Sequence, residues 1–226
     1  MDIRSYLRKN VLLFDGAMGT YYARRFPKGE ACCERANLTA PDDIAAIHRA
    51  YIEAGSRAVK TNTFGVDRIR FSADEAEAML RAGYDIAVRA AEDAFVFADI
   101  GPMETDGGRD PAEEYIFLAD VFLGCGARHF LFETNGRDDG LREAAAYIKE
   151  RDPEAFVLVS FAAQPDGFTR AGLRASELIR AAAADGSIDI EQVKTMVDLF
   201  MAAGSTYFDT AFVYEGSEEA TREALL

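Results

Sequence analysis

Polar residues that directly follow short apolar segments are the candidates for chemistry in this sequence. Asp15 follows one such segment and Glu133 follows another. Asn62, Thr63 and Asp99 occupy the same kind of position, as does Asp209. Carboxylates pair well with ammonium groups, and glycine-rich backbone can approach a carboxylate closely. These residues therefore predict a site for a small polar ligand, although Asp15 and Glu133 could instead cap the helices that follow them.

The three cysteines are the second candidate for chemistry. Cys32 and Cys33 are adjacent and Cys125 lies far from them, so the set does not resemble a disulfide framework and agrees with a reducing compartment. Cys125 precedes an apolar segment, whereas the vicinal pair lies in the connection after the first one. The start and the end of a parallel strand lie at opposite edges of its sheet, so Cys125 would not meet the Cys32–Cys33 pair. We therefore expect buried or idle thiols and no metal site.

Six apolar segments recur along the chain, and each is followed by polar or glycine residues. They span residues 11–14, 58–60, 95–98, 129–132, 156–161 and 206–208. Such continuous runs are typical of strands buried on both faces of a parallel sheet. Helical segments with recognisable starts lie between them, at Pro41, Ser72, Asp110, Leu141, Ser176 and Asp189.

The alternation of strands and helices predicts an α/β fold with a parallel sheet. A TIM-type (β/α) barrel and a doubly wound sheet both fit. The barrel is favoured because polar residues follow nearly every strand, and because no glycine-rich phosphate loop is present. We predict a single barrel-like domain over residues 1–226, incomplete with about six βα units, whose open edges favour self-association.

Composition restricts the partners. The net charge is −14, which disfavours binding to nucleic acid. No apolar run approaches the roughly 20 residues of a membrane span, and the first ten residues lack the apolar core of a secretory signal. These features predict a cytoplasmic protein that contacts neither membrane nor nucleic acid.

Seven short segments follow one another along the chain: LLFDGAMGT at 12–20, CERANLTAPD at 33–42, IHRAYIEAG at 47–55, KTNTFG at 60–65, DIGP at 99–102, FET at 132–134 and QPDGFTRAG at 164–172. Through these segments, residues 8–178 resemble the homocysteine S-methyltransferase family. Each segment alone is weak evidence, but their shared order is specific.

This resemblance implies a set of substrate contacts. Asp15 and the loop formed by Gly16, Ala17, Met18, Gly19 and Thr20 would hold an amino acid, Asn62 and Thr63 would join them, and Glu133 would pair with its ammonium group. The family also uses zinc, held by three cysteines late in the barrel, to keep the homocysteine sulfur as a thiolate. No cysteine follows Cys125 in this sequence, so we expect no cofactor and an incomplete methyltransferase related to methionine biosynthesis. Its small-molecule partner would be homocysteine or methionine.

The last part of the chain contains the motif DTAFVY at 209–214. Through this motif, residues 184–226 resemble a different family, the aldo/keto reductases, whose catalytic Asp and Tyr would correspond to Asp209 and Tyr214. Because the partners of such a Tyr would come from later strands, we expect both residues to be idle. The alternatives are therefore a fragment of an NADPH-dependent reductase and a hybrid without catalytic function.

Overall fold

A parallel β-sheet with intervening helices forms the part of the chain that this computed structural model describes, residues 2–103, 108–164 and 166–184. The strands are neighbours in chain order: β1 (Ala58–Lys60), β2 (Phe95–Ile100), β3 (His129–Asn135) and β4 (Phe156–Phe161). Strand β2 pairs in parallel with both β1 and β3. Phe14 adds a parallel bridge to Ala58, so the first predicted strand contributes one bridge at the edge of β1.

Helices separate these strands. They are α1 (Ile3–Leu7), α2 (Met18–Arg25), α3 (Ala36–Thr39), α4 (Pro41–Glu53), α5 (Ala73–Ala90), α6 (Pro111–Gly124), α7 (Leu141–Arg151) and α8 (Ala175–Ala184), with a 3₁₀ turn at Cys33–Arg35. The first three were not predicted, because they are short and only α1 has a side-chain cap, in which Asp2 accepts a hydrogen bond from the amide of Ser5. None of the described helices is both long and apolar enough to cross a bilayer.

The predicted helix starts are explained by local chemistry. Pro41 occupies the first turn of α4, where its missing amide hydrogen costs nothing. The hydroxyl of Ser72 accepts a hydrogen bond from the amide of Glu75 at 3.3 Å, and Asp110 caps α6 in the same manner. Gly55 ends the α4 segment at a φ of +110°, a conformation that favours glycine.

Burial explains why β2 has no alternating pattern. All six of its residues are buried, and aromatic residues from β2 and β3, Phe97, Phe130 and Phe132, are fully enclosed. Strand β4 differs, because every residue in it is only partly buried. The expectation of burial on both faces is therefore correct for β2 and wrong for β4.

The chain divides into two compact units. Among the described residues, the first contains those within 13–133 and 139–159, and the second contains those within 2–12, 134–138 and 160–184. Within the second unit, Phe168 forms an antiparallel bridge with Arg174, whose guanidinium lies 4.7 Å from the centre of the Phe168 ring. The predicted sixth strand at 206–208 and the helix beginning at Asp189 lie outside the described residues.

Candidate functional site

Lys60 is the central residue of the candidate site, and the sequence analysis did not select it. It ends β1, and its Nζ donates a hydrogen bond to Oε1 of Glu133 at 2.6 Å. The two side chains are only 18% and 21% exposed, so this ion pair is largely withdrawn from water. A lysine at the end of a strand predicted to be buried needs an anionic partner, and that was the available signal.

Asp15 lies beside this pair. Its Oδ2 accepts a hydrogen bond from the backbone amide of Lys60 at 3.1 Å, while its Oδ1 is buried and has no hydrogen-bond partner. Burial raises the pKa of Asp15 to about 7, and the charge of Glu133 adds to this, whereas the hydrogen bond and charge of Lys60 oppose it. Near neutral pH, Asp15 is therefore poised between its protonated and ionised forms.

Asp99 completes the group from the end of β2. Its side chain is buried, and Oδ1 again has no hydrogen-bond partner. Burial, together with the charge of Glu133 and a hydrogen bond to it, holds the pKa of Asp99 well above its usual range. Three carboxyl groups thus act on one ammonium, Glu133 by direct contact and Asp99 and Asp15 through their charges.

Two threonines fix the backbone that presents Asp99. The amide of Asp99 donates to Oγ1 of Thr61 at 2.9 Å, and Oγ1 of Thr63 donates to the carbonyl of Asp99 at 2.7 Å. The two threonine hydroxyls also contact each other at 2.6 Å. Thr63 was predicted to contact a ligand, but the structure shows its hydroxyl engaged with the protein.

Asn62 is likewise engaged inside the protein. Its Nδ2 donates to the carbonyl of Cys33 at 2.7 Å and to Oδ1 of Asn37 at 2.9 Å. Asn37 returns a hydrogen bond to the carbonyl of Asn62 at 2.7 Å. This buried pair connects the end of β1 to the segment that carries Cys33, so the role of Asn62 seen in the structure is positioning.

The predicted loop from Asp15 to Thr20 is shorter than expected. Helix α2 already begins at Met18, so Met18, Gly19 and Thr20 form its first turn. Ala17 is the N-cap residue, and no side chain caps the helix there. The hydroxyl of Tyr51 donates to the carbonyl of Ala17 at 3.0 Å and fixes this corner. Uncapped amides at a helix start attract anions, and the binding of a carboxylate by this loop stays a prediction.

The described cysteines do not fit the zinc site that the family resemblance implies. The thiols of Cys32 and Cys33 both point to Oε2 of Glu34, at 3.1 and 3.4 Å. Burial raises the pKa of Cys33 to about 12, and the charge of Glu34 adds to this, which opposes the thiolate form that binds metal. Cys125 contacts Arg81 instead, at 3.6 Å. Among the described residues, no three His, Cys, Asp or Glu side chains form a group able to hold a metal ion.

The backbone at the end of β3 has an unusual conformation. Thr134, the residue after Glu133, has a φ of 54°, which is unusual for a β-branched residue. Its amide donates to Oγ of Ser160 at 2.8 Å.

Asp209 and Tyr214, the residues predicted from the reductase resemblance, lie outside the described residues.

Solved structures define the fold class. The homocysteine methyltransferase MmuM from Escherichia coli, in its oxidized form, matches 87% of this chain and 80% of its own length with a TM-score of 0.68 and 18% identity. Its metallated form matches 87% of this chain and 82% of its own length, with a TM-score of 0.67 and 18% identity. The predicted class is confirmed: the fold is a TIM-type α/β barrel, incomplete in the part of the chain that is described.

Sequence comparison then gives the family. The sequence model named homocysteine S-methyltransferase matches residues 12–196, so the chain belongs to the homocysteine S-methyltransferase family. The match includes the first residues of the segment that resembles aldo/keto reductases.

Two methionine synthases are similar over part of the chain. That of Mycobacterium tuberculosis is 35% identical over 160 residues, covering 59% of this chain and 13% of that protein. That of Mycobacterium leprae is 34% identical over 118 residues, covering 45% of this chain and 10% of that protein. The chain therefore spans only about a tenth of the length of these curated relatives.

Proposed function

We propose that the residues around Lys60 bind the α-amino and α-carboxylate groups of an amino acid, with homocysteine and methionine as the ligands. The single observation that supports this most strongly is the group of three carboxyls, Asp15, Asp99 and Glu133, around one ammonium. Two of these carboxyls have a buried oxygen without a hydrogen-bond partner. A ligand ammonium would satisfy them, because it donates three hydrogen bonds and brings the opposite charge.

The start of α2 supplies the complementary half of the proposed site. Its first amides are not capped by a side chain, and the positive end of the helix dipole favours an anion. Asp15 lies three residues before this helix and is one of the three carboxyls around Lys60. The proposed positions for the ligand's ammonium and carboxylate are therefore adjacent in the chain. This adjacency suits an α-amino acid, whose two charged groups share one carbon.

Methyl transfer is not part of the proposal. The family's reaction depends on a zinc ion that keeps the homocysteine sulfur as a thiolate. Cys32 and Cys33, the adjacent pair, are held as thiols by burial and by Glu34. We infer binding of the amino acid without activation of its sulfur. Affinity would then be weak, with a dissociation constant of about 1 mM, or roughly 4 kcal/mol. It would also discriminate poorly between homocysteine and methionine.

Isothermal titration calorimetry of the 226-residue chain tests this function. Homocysteine and methionine should bind with dissociation constants within about threefold of each other. Glu133→Ala should abolish binding, because the ligand ammonium would be desolvated without its anionic partner.

Glu143→Ala is the matched control for the calorimetry. Glu143 is an exposed carboxylate on α7, so its removal changes the net charge equally and should leave binding unchanged. Binding that survives Glu133→Ala, or a strong preference for homocysteine, would place the amino-acid site elsewhere.

A further inference from the structure

Lys60 already pairs with Glu133, the carboxyl that the proposed function assigns to a ligand ammonium. Its Nζ donates to Glu133 at 2.6 Å, and the charges of Asp99 and Asp15 also act on it. These are the same three carboxyls to which the proposed function assigns the ammonium of an amino acid. A ligand ammonium would therefore compete with the Lys60 ammonium for Glu133.

We propose that Lys60 is a specificity-determining residue that exchanges with the ligand: its ammonium holds the cation position in the free protein and moves to the ligand's carboxylate on binding. This inference rests on the proposed function, because it takes the same three carboxyls as the ammonium site. It adds the residue that would select a zwitterion, with ammonium and carboxylate on one carbon, over a simple amine or a simple acid.

The charge balance of a buried site favours exchange over addition. A second ammonium placed beside Lys60 would be repelled by the Lys60 ammonium at short range, in a largely enclosed place where charges are weakly screened. Replacing one ammonium by another leaves the charge around Asp15, Asp99 and Glu133 unchanged. The buried oxygens without partners, Oδ1 of Asp15 and Oδ1 of Asp99, remain available to the incoming ammonium.

The backbone of Lys60 is fixed, so only its side chain needs to move. Its amide donates to Oδ2 of Asp15, and within the sheet it is paired with Phe97. Four methylene groups give a lysine side chain wide rotational freedom and long reach. Its side chain is 18% exposed, so the protein does not enclose it completely.

This exchange would discriminate among ligands that share a side chain. A zwitterion displaces Lys60 and also offers it a carboxylate, so no charge is left without a partner. A simple amine displaces Lys60 and offers it nothing. A simple carboxylic acid leaves the Lys60–Glu133 pair intact and cannot use the three carboxyls.

Calorimetry with three probes tests the exchange. The probes are methionine, 3-(methylthio)propylamine, which lacks the carboxylate, and 4-(methylthio)butanoate, which lacks the ammonium. The wild-type chain should bind methionine at least about tenfold more tightly than either analogue. In Lys60→Gln, the amine should bind at least about tenfold more tightly than it binds the wild type, and its disadvantage relative to methionine should fall below about threefold.

Two further variants complete the design. Lys60→Met is the second test variant if Lys60→Gln gives no cooperative thermal transition. Lys28→Met is the charge-matched control, because Lys28 is exposed; it should reproduce the wild-type order of affinities.

The outcomes separate the two proposals. Methionine binding by the wild type, combined with amine affinity that stays within about twofold in both Lys60 variants, would overturn the exchange while leaving the amino-acid site in place. Failure of methionine and homocysteine to bind the wild type and both Lys60 variants would instead overturn the proposed function, and the exchange with it.

Discussion

Asp15 accepts a hydrogen bond through Oδ2 from the backbone amide of Lys60, 3.1 Å away and 45 positions later in the chain. The other oxygen of this carboxyl is buried without a partner. This single contact connects the end of the first apolar segment to the end of β1. It holds a carboxyl group in a place where ionisation is costly, which has a measurable consequence for stability.

The stability of the protein should fall as the pH rises toward 7 because of Asp15. Its pKa is raised from 3.8 to about 7 by burial, so the stabilising contribution is complete below pH 3.8 and is lost as the pH rises through the folded value. Between about pH 5.5 and pH 7, this amounts to a loss of about 2 kcal/mol in the free energy of unfolding. Asp15→Asn should remove that loss. Urea denaturation at several pH values measures it.

Asp93→Asn is the control for this experiment, since Asp93 is exposed. It should retain the wild-type dependence on pH. If Asp15→Asn has the same slope as the wild type, then Asp15 is ionised in the folded protein and its unpaired oxygen is solvated.

His48 should produce a pH dependence of the opposite sign. It is fully buried in α4, both ring nitrogens lack partners, and burial lowers its pKa from 6.5 to about 4. As the pH falls below 6.5, the unfolded chain binds a proton that the folded chain does not. One pH unit below that point should therefore cost about 1 kcal/mol of stability.

Replacement of His48 by leucine separates this effect from that of Asp15. His48→Leu should abolish the destabilisation on acidification and raise the unfolding free energy at neutral pH by about 1–2 kcal/mol, because two unsatisfied nitrogens are removed. Thermal and urea unfolding measure both effects. A destabilised His48→Leu variant would show that the imidazole makes hydrogen bonds in solution.

Gly101 permits a close approach between two segments that follow strands. A Cβ added there would overlap the carbonyl oxygen of Phe64, which is backbone and cannot rotate away. We therefore expect Gly101→Ala to destabilise the protein by at least about 2 kcal/mol. It should also weaken methionine binding, because Asp99 lies only two residues earlier.

Gly124→Ala is the matched control for Gly101. Gly124 ends α6, and a Cβ there would meet only Arg81 at an ordinary 3.7 Å. Alanine should be neutral or stabilising by up to about 1 kcal/mol. Equal unfolding free energies for the two variants would mean that the contact between Gly101 and Phe64 is loose.

The 226-residue chain should not retain stoichiometric zinc. Its only cysteines are Cys32, Cys33 and Cys125; Cys32 and Cys33 share Glu34, whereas Cys125 contacts Arg81. Metal analysis after purification with added zinc should find less than about 0.1 zinc per chain. About one zinc per chain, lost on Cys32→Ser, would contradict this expectation.

The sequence by itself determined the order of elements and the position of most charged groups. Apolar runs without alternation marked β1, β2 and β3, because strands enclosed on both faces need no polar side. Asp15, Asp99 and Glu133 follow such runs, and parallel strands bring their ends to one edge, so their proximity could be predicted. Pro41 and Asp110 marked helix starts because their chemistry acts within a single turn.

The tertiary structure alone decided how these groups are paired and which of them carry protons. Lys60 meets Glu133 across 73 positions, and no local pattern specifies which carboxylate a lysine will find. Asn62 was predicted as a ligand contact from its place in the chain, yet its amide is engaged by Asn37 and Cys33. The pKa of Asp15 likewise depends on burial and on neighbours from other strands. Hydrogen bonding and ionisation are set by distances of a few ångströms between remote segments, and only the folded chain fixes those distances.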